Sequence, residues 1–456
     1  MSAVRSIVKV ATAGLALVVA IAGTSAISRQ ITPACPMTPT PVISPESLAD
    51  VCIPDGFTET PMEYFDDYSW RAFVSLIWPA EPGRRGVPAA SRSVSTAGPR
   101  VFETYKSMWE IFHGDGSAPA VSFDAYDAPA YNPCNVSSSF GDLTIGSASG
   151  IDDIGQAGGG VLDPPVAAQN GRYVRTLTLF NQRQVDHIAT NRFYLRSALP
   201  EIPRPRPDVP VVNFPMGSIA VKTAWVDIEG LPAPLVRRFY ARTVNVKRAA
   251  GDGCERRTMG LVGLHIAKKT PSRPQWIWSS FEQRDTVPPA WPDSPGSYVL
   301  NDGKHTPMPE TNPLTLVPLA PEPVKPFNVE RAFTAPLLTA TELTNFAYQR
   351  LLAGTPWQYY RLIVTQWPRM DGNQATPIPS TTDGSVPNTF PGTDAFSAFT
   401  NVTMETFDQR SIQLGCMNCH NRARMNTDFM WTLLNHAHPA QFGPAPTAGG
   451  PERSAR

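Results

Sequence analysis

The chain carries no excess of charge: Lys and Arg number 39, and Asp and Glu number 39, among 456 residues. A surface without a dominant sign offers no field to draw in a polyanion, so nucleic acid is not an expected partner. Cysteine and histidine are scarce, at six and seven. Beyond the first 26 residues, no apolar run approaches the roughly 18 needed to cross a bilayer. No internal repeat is visible. Proline, in contrast, is abundant at 48 residues, about twice the average share. Its fixed backbone angle and missing N–H disfavour helix interiors, which points to long ordered loops over a compact core and a low helix content.

The N-terminus reads as an export signal over 1–26. Arg5 and Lys9 form a positive head, Val10 to Gly23 is apolar but short, and Thr24-Ser25-Ala26 offers small residues for cleavage. The expected location is periplasmic or secreted, with no membrane contact beyond the signal. The remaining residues suffice for one large domain or two ordinary ones.

Two cysteines stand close together in Cys416-Met417-Asn418-Cys419-His420. This spacing reads as an attachment site for a c-type haem. Each thiol would add to one vinyl group, and the adjacent His420 would give the iron its proximal nitrogen. A redox CxxC or half of a zinc site needs no such histidine, and no second CxxC or HxxxH completes a zinc set. The expected cofactor is one covalent haem c. The other cysteines, Cys35, Cys52, Cys134 and Cys254, allow three pairings in an oxidising compartment. Cys35–Cys52 with Cys134–Cys254 is the simplest.

After the signal, residues 27–60 read as a Cys/Pro-rich arm. A body over 61–287 opens with two helical stripes. One runs through Phe65, Trp70, Phe73 and Ile77 to a stop at Pro79; the other runs from Val101 to Phe112. Their aromatics, Trp70 and Trp109 included, read as core. Tyr173–Phe180 is a strand candidate, and Asp186–Leu199 a short helix. Four further strand-like runs follow, Ser218–Ile228, Arg237–Val246, Met259–Lys268 and Gln275–Glu282, mostly separated by Gly/Pro breaks. Such spacing suggests an antiparallel sheet. A Pro-rich wrapping segment covers 288–336. A helical and attachment region, 337–438, includes a helix at Thr341–Leu352 with a threonine cap, a strand at Trp357–Trp367, and helices at Phe396–Gln409 and Met425–His436. A disordered tail, 439–456, ends the chain. The expected fold class is α+β: an antiparallel β-rich body with flanking helices, long Pro-rich loops and a short helical attachment segment.

Only 36 residues follow His420, so a haem there would dock against the body that precedes it. The ligand on the sixth side of the iron is then the open question. Strand alternation places Val262, Leu264 and Ile266 on a core face and His265 on the other, between the small Gly263 and Ala267. That leaves space for something flat, and His265 is the favoured candidate for a distal metal ligand. Met404, Met430 and His436 are alternatives. Trp276, Trp278 and Glu282 share a strand face and would wall a cleft.

Together these residues resemble exported single-haem proteins of a cytochrome c family. The resemblance spans roughly Trp70 to Leu434. It rests on Leu76-Ile77-Trp78-Pro79, Val221-Lys222-Thr223-Ala224-Trp225, Gly260 to Ile266, Trp276-Ile277-Trp278 with Phe281-Glu282, Asn401 with Met404-Glu405-Thr406, and the attachment motif. Relatives often carry Phe-Glu-His where this chain has Phe281-Glu282-Gln283. The resemblance implies haem and export without supplying a substrate. The expected function is electron transfer by an exported c-type cytochrome, with a redox protein as partner. A peroxidase- or oxygenase-like haem enzyme is the alternative, with a small-molecule substrate and with Lys222, His265, Glu282 and Arg284 as the polar groups to test. A ligand-binding or redox-sensing module is the third reading.

Overall fold

A single long strand, β6 (Cys254–Thr270), holds the sheet together. In the computed structural model the described residues are 41–45, 62–146, 154, 165–200, 212–270, 273–289, 298–304, 319–332, 338–367, 401–406, 409, 416–420, 423 and 427–439. The expected signal, most of the arm with Cys35 and Cys52, and the tail after residue 439 lie outside them. Along one edge β6 pairs with β4 (Ile219–Asp227). Along the other it pairs first with β5 (Ala241–Lys247) and then with β7 (Arg273–Gln283). The sheet extends through β3 (Arg175–Phe180) to the short β1 (Lys106–Ser107), and through β7 to β8 (Tyr360–Gln366). The short β2 (Thr144–Ile145) adds to β5 in parallel, the one departure from the antiparallel arrangement among the eight strands. The body is therefore a β-rich α+β fold with a mixed sheet and few helices.

One sheet face is covered by α1 (Met62–Leu76) and α4 (Thr339–Leu351); two shorter helices, α2 (Gln182–Thr190) and α3 (Ala233–Val236), lie between β3 and β5 in the chain. The expected stripe on α1 is the buried one: Trp70 stacks on Tyr348 with centroids 5.1 Å apart, and Phe73 stacks on Phe281 at 4.4 Å. Trp70 Nε1 also donates to Asn345 Oδ1 at 2.9 Å, so its polar edge is satisfied in the core. Cys134 and Cys254 are joined, as the simplest pairing anticipates, tying a surface loop to the start of β6.

Several expected elements are corrected. Val101–Phe112 is two 3₁₀ turns flanking β1, because Ser107 and Glu110 form a capping box and Arg85 grips Glu110 bidentately. The helix expected at Asp186–Leu199 starts earlier, at Gln182, where Asn181 accepts from the Gln184 N–H. Thr341 does not cap its helix; its hydroxyl bonds Asp66 instead. Residues 401–406 form turns, and the rest of the expected Phe396–Gln409 helix, Gln409 apart, lies outside the described residues. The last helix, α6, covers only Trp431–His436, since Asp428 and Phe429 sit at φ of 49° and 71°. Nor do Val262, Leu264 and Ile266 all share a face. The pairing with β4 steps from Gly263 to Leu261 while Ala224 and Trp225 stay consecutive, so Val262 is a bulge residue. Leu261, Leu264 and Ile266 enter the main core, and Val262 packs with Ala224 and Met404 on the opposite side.

Asp66 lies fully buried on α1, accepting from Thr341 Oγ1 at 2.6 Å and Thr365 Oγ1 at 2.9 Å. Burial pushes its carboxyl up to about 7, against the pull of the two hydroxyls. The folded state therefore keeps a proton that the unfolded chain releases near its ordinary value. This contribution to stability is full at acid pH and is lost as pH rises toward about 7. Asp66→Asn is expected to remove that loss. Urea unfolding at mildly acid and mildly alkaline pH should show a smaller drop for the variant than for the parent, and equal drops would contradict the assignment.

Candidate functional site

The site is built on the sheet face opposite α1. Register places Lys222 of β4 beside His265 of β6, and His265 beside Ser280 of β7. Ala267 pairs with Trp278 in the next row and Gly263 with Glu282 in the row before. Directly paired residues project to one side, so Lys222, His265, Trp278 and Glu282 share this face. His265 and Trp278 are diagonal neighbours, about 7–8 Å apart at Cα.

Three C-terminal segments lie on it. The first, residues 401–406, crosses at Gly263. Asn401 Nδ2 donates to Ser280 Oγ at 3.0 Å and the Phe281 carbonyl at 2.9 Å, which anchors the segment. A Cβ on Gly263 would stand 2.6 Å from Thr403 Oγ1 and 2.7 Å from Met404 Cγ. The space expected beside His265 is thus filled, on its Gly263 side, by this segment. Met404 is fully buried there as packing. The crossing delivers Glu405, whose Oε2 lies 3.4 Å from His265 Nε2 and whose Oε1 lies 3.9 Å from Lys222 Nζ.

The second segment is a one-turn helix, α5 (Cys416–His420). Helical spacing brings Cys416, Cys419 and His420 to adjoining positions on one side. The His420 ring lies against Trp278, with centroids 4.1 Å apart. The third segment, 427–439, closes over α5. His420 Nδ1 donates to the Phe429 carbonyl at 2.6 Å, and Trp431 Nε1 donates to the Cys419 carbonyl at 3.2 Å. With Nδ1 as donor, Nε2 is left unprotonated, the form in which an imidazole nitrogen can take a metal.

Electrostatics joins the two histidines. Burial pushes His420 down to about 4, against the Phe429 carbonyl, and the neighbouring Lys222 and His265 push the same way as burial. Burial, then Lys222, pushes His265 down to about 3. Both rings are therefore neutral at physiological pH, the state a metal ligand requires. Burial raises Glu405 to about 7, opposed by Lys222 and the Asn401 backbone. His265 and Glu405 keep 20% and 23% side-chain exposure, while His265 Nε2 itself is buried against the carboxylate. The donor set fits a c-type haem: two thiols and a neutral imidazole on one helical turn, with a second neutral imidazole on the facing sheet.

Not every expected residue joins this site. Glu282 is fully buried and committed to Arg331 and Arg361, at 2.6 and 2.7 Å. Burial alone would raise its carboxyl, but the two guanidinium groups hold it below its ordinary value, so it braces the fold and walls no cleft. Trp276 leaves the strand alternation at φ 73° and walls no cleft; it is fully buried beside Trp278, with its Nε1 on the Asp428 carbonyl. Arg284 points to solvent. Met430 is buried before α6, and His436 packs against Phe112 with centroids 6.0 Å apart. Trp70 is in the α1 core, and Trp109 lines a small polar cavity with Arg85, Glu103 and Glu110. Glu405 and the Phe429 carbonyl were missed as site groups. A carboxylate 140 residues from its histidine has no periodicity to betray it, and a backbone carbonyl has no sequence signature. Comparison with family models, curated proteins and solved structures finds no match to this chain.

Gly263→Ala forces its new methyl into Thr403 and Met404. The expected cost is about 1–3 kcal/mol of stability, together with displacement of Glu405 from His265. Urea unfolding checks the first and the NMR shifts of the His265 ring check the second. An unperturbed variant would contradict the crossing at Gly263.

Proposed function

We propose that the chain is an exported c-type cytochrome that carries one covalent haem and moves electrons to or from a redox protein. The observation that carries this reading is the α5 turn. It presents Cys416, Cys419 and His420 together, holds Nδ1 of His420 on the Phe429 carbonyl, and rests the ring on a sheet face that bears His265. On this reading α5 is a short helical attachment segment. Cys416 and Cys419 would hold the haem covalently, with His420 and His265 as the imidazoles that would ligate its iron. The bound haem supplies a one-electron couple, and two neutral imidazoles place it at a lower potential than a His/Met pair. Burial keeps both rings deprotonated, and Trp278 fixes the plane of His420. Periplasmic location follows from the same chemistry, with the N-terminal segment as the export signal.

One observation favours a second reading. His265 Nε2 faces Glu405, and Glu405 faces Lys222. That trio is a proton-handling group, suited to a haem oxidoreductase acting on a small molecule.

The visible spectrum of the purified exported protein, with and without carbon monoxide, separates the two. Electron transfer predicts a low-spin reduced haem indifferent to carbon monoxide, and a changed oxidised spectrum in His265→Ala. Rapid carbon monoxide binding by the parent would overturn that prediction in favour of the enzyme. Cys416→Ser with Cys419→Ser should abolish the covalent haem mass, and its persistence would remove the attachment site itself.

A further inference from the structure

We infer that Lys269, Trp276 and Asp428 form a latch that presses the Phe429 carbonyl onto His420 and so sets the electron-donating strength of its imidazole. The inference rests on His420 being the proximal ligand. It begins from backbone strain. Among the described residues, non-glycine residues with positive φ are Asn135, Arg192, Trp276, Asp428 and Phe429. Such conformations cost energy and persist only where the surroundings over-determine them. Trp276, Asp428 and Phe429 meet at one place, and it is the place that delivers the His420 hydrogen bond.

The restraints on this place are specific. Asp428 Oδ2 accepts from the Phe214 N–H at 2.8 Å and from Lys269 Nζ. Lys269 Nζ also donates to Asn213 Oδ1 at 2.7 Å and lies 5.7 Å from the centre of the Trp276 ring. Trp276 Nε1 donates to the Asp428 carbonyl at 3.1 Å. Lys269 is fully buried and Asp428 nearly so. A buried charge pair is costly unless its remaining valences are met, and here they are met from β6, β7 and the strand approach at 213–214. Both Asp428 carboxylate and backbone are thus gripped, which fixes the peptide plane one residue before the Phe429 carbonyl. Apolar side chains of the same volume would fill the space without aiming that carbonyl.

The chemical consequence follows from the donor. A firm Nδ1–H···O bond pushes electron density onto Nε2 and raises ligand basicity. That stabilises the oxidised iron and lowers the reduction potential. The latch groups touch neither iron nor substrate; they are positioning residues.

The test uses the full exported chain with two mild variants. Trp276→Phe removes one hydrogen bond, and Asp428→Asn removes the charge facing Lys269 while keeping an acceptor for Phe214. Both are expected to attach haem as the parent does and to show an upward shift in reduction potential. In the haem-free Cys416→Ser, Cys419→Ser chain, nitrogen NMR of His420 should report the Nδ1–H tautomer, with that preference weakened in both variants. Potentials and tautomer unchanged from the parent, even with a lowered melting temperature, would overturn the latch and leave the trio a purely structural contact. A parent chain that never acquires covalent haem but keeps the latch-dependent tautomer would refute the proposed function while the latch stood.

Discussion

The register of β6 against β4 and β7 is the constraint on which the site depends. It aligns Lys222, His265 and Ser280 in one row and puts Trp278 in the next. A slip by one residue would turn every one of these side chains into the α1 core and bring Leu264 and Ile266 out. The buried face opposes that slip, because Phe73, Phe281 and Tyr348 pack only against the observed set. The bulge at Val262 belongs to the same economy: it lets Leu261 remain in the main core while Gly263 stays under the crossing segment.

On that face the C-terminal third of the chain completes what the strands begin. Residues 401–406 meet the sheet at Gly263, α5 meets it at Trp278, and the loop before α6 meets it at Trp276. Each contact uses a residue with one required property: no side chain at 263, a flat ring at 278, an indole N–H at 276. Burial then does the electrostatic work. It strips the protons from His265 and His420 and drives Glu405 toward its neutral form, with Lys222 as the nearby positive charge. A set of titratable groups is thereby held on a rigid sheet, with the Cys416–His420 turn brought to it late in the chain.

Much of this was legible in the residues and some was not. Runs of β-branched and aromatic residues, mostly bounded by Gly/Pro breaks, located all four central strands and the outer β8, because such side chains suit a pleated surface and the breaks end it. Alternation put His265 on the face away from Leu264 and Ile266. The helical stripe of Val101–Phe112 misled, since local bonds from Ser107, Glu110 and Arg85 outweigh periodicity over so short a span. The bulge at Val262 misled for a different reason: one inserted residue leaves hydrophobicity unchanged while inverting the face. The role of Glu282 depends on Arg331 and Arg361, far along the chain, and the role of Glu405 depends on where a turn crosses the sheet. Tertiary contacts of that kind leave no pattern in a single sequence.

The central claim is that a haem carried by Cys416, Cys419 and His420 rests on the sheet face bearing Trp278 and His265. Proton NMR of the oxidised protein tests this directly, because the unpaired electron on the iron shifts and broadens only nearby resonances. Displaced signals are expected from Trp278, His265, Lys222 and Glu405, with those of Phe73 and Tyr348 on the α1 face unmoved. Displaced signals on the α1 face, or a spectrum with no paramagnetic shifts, would contradict it.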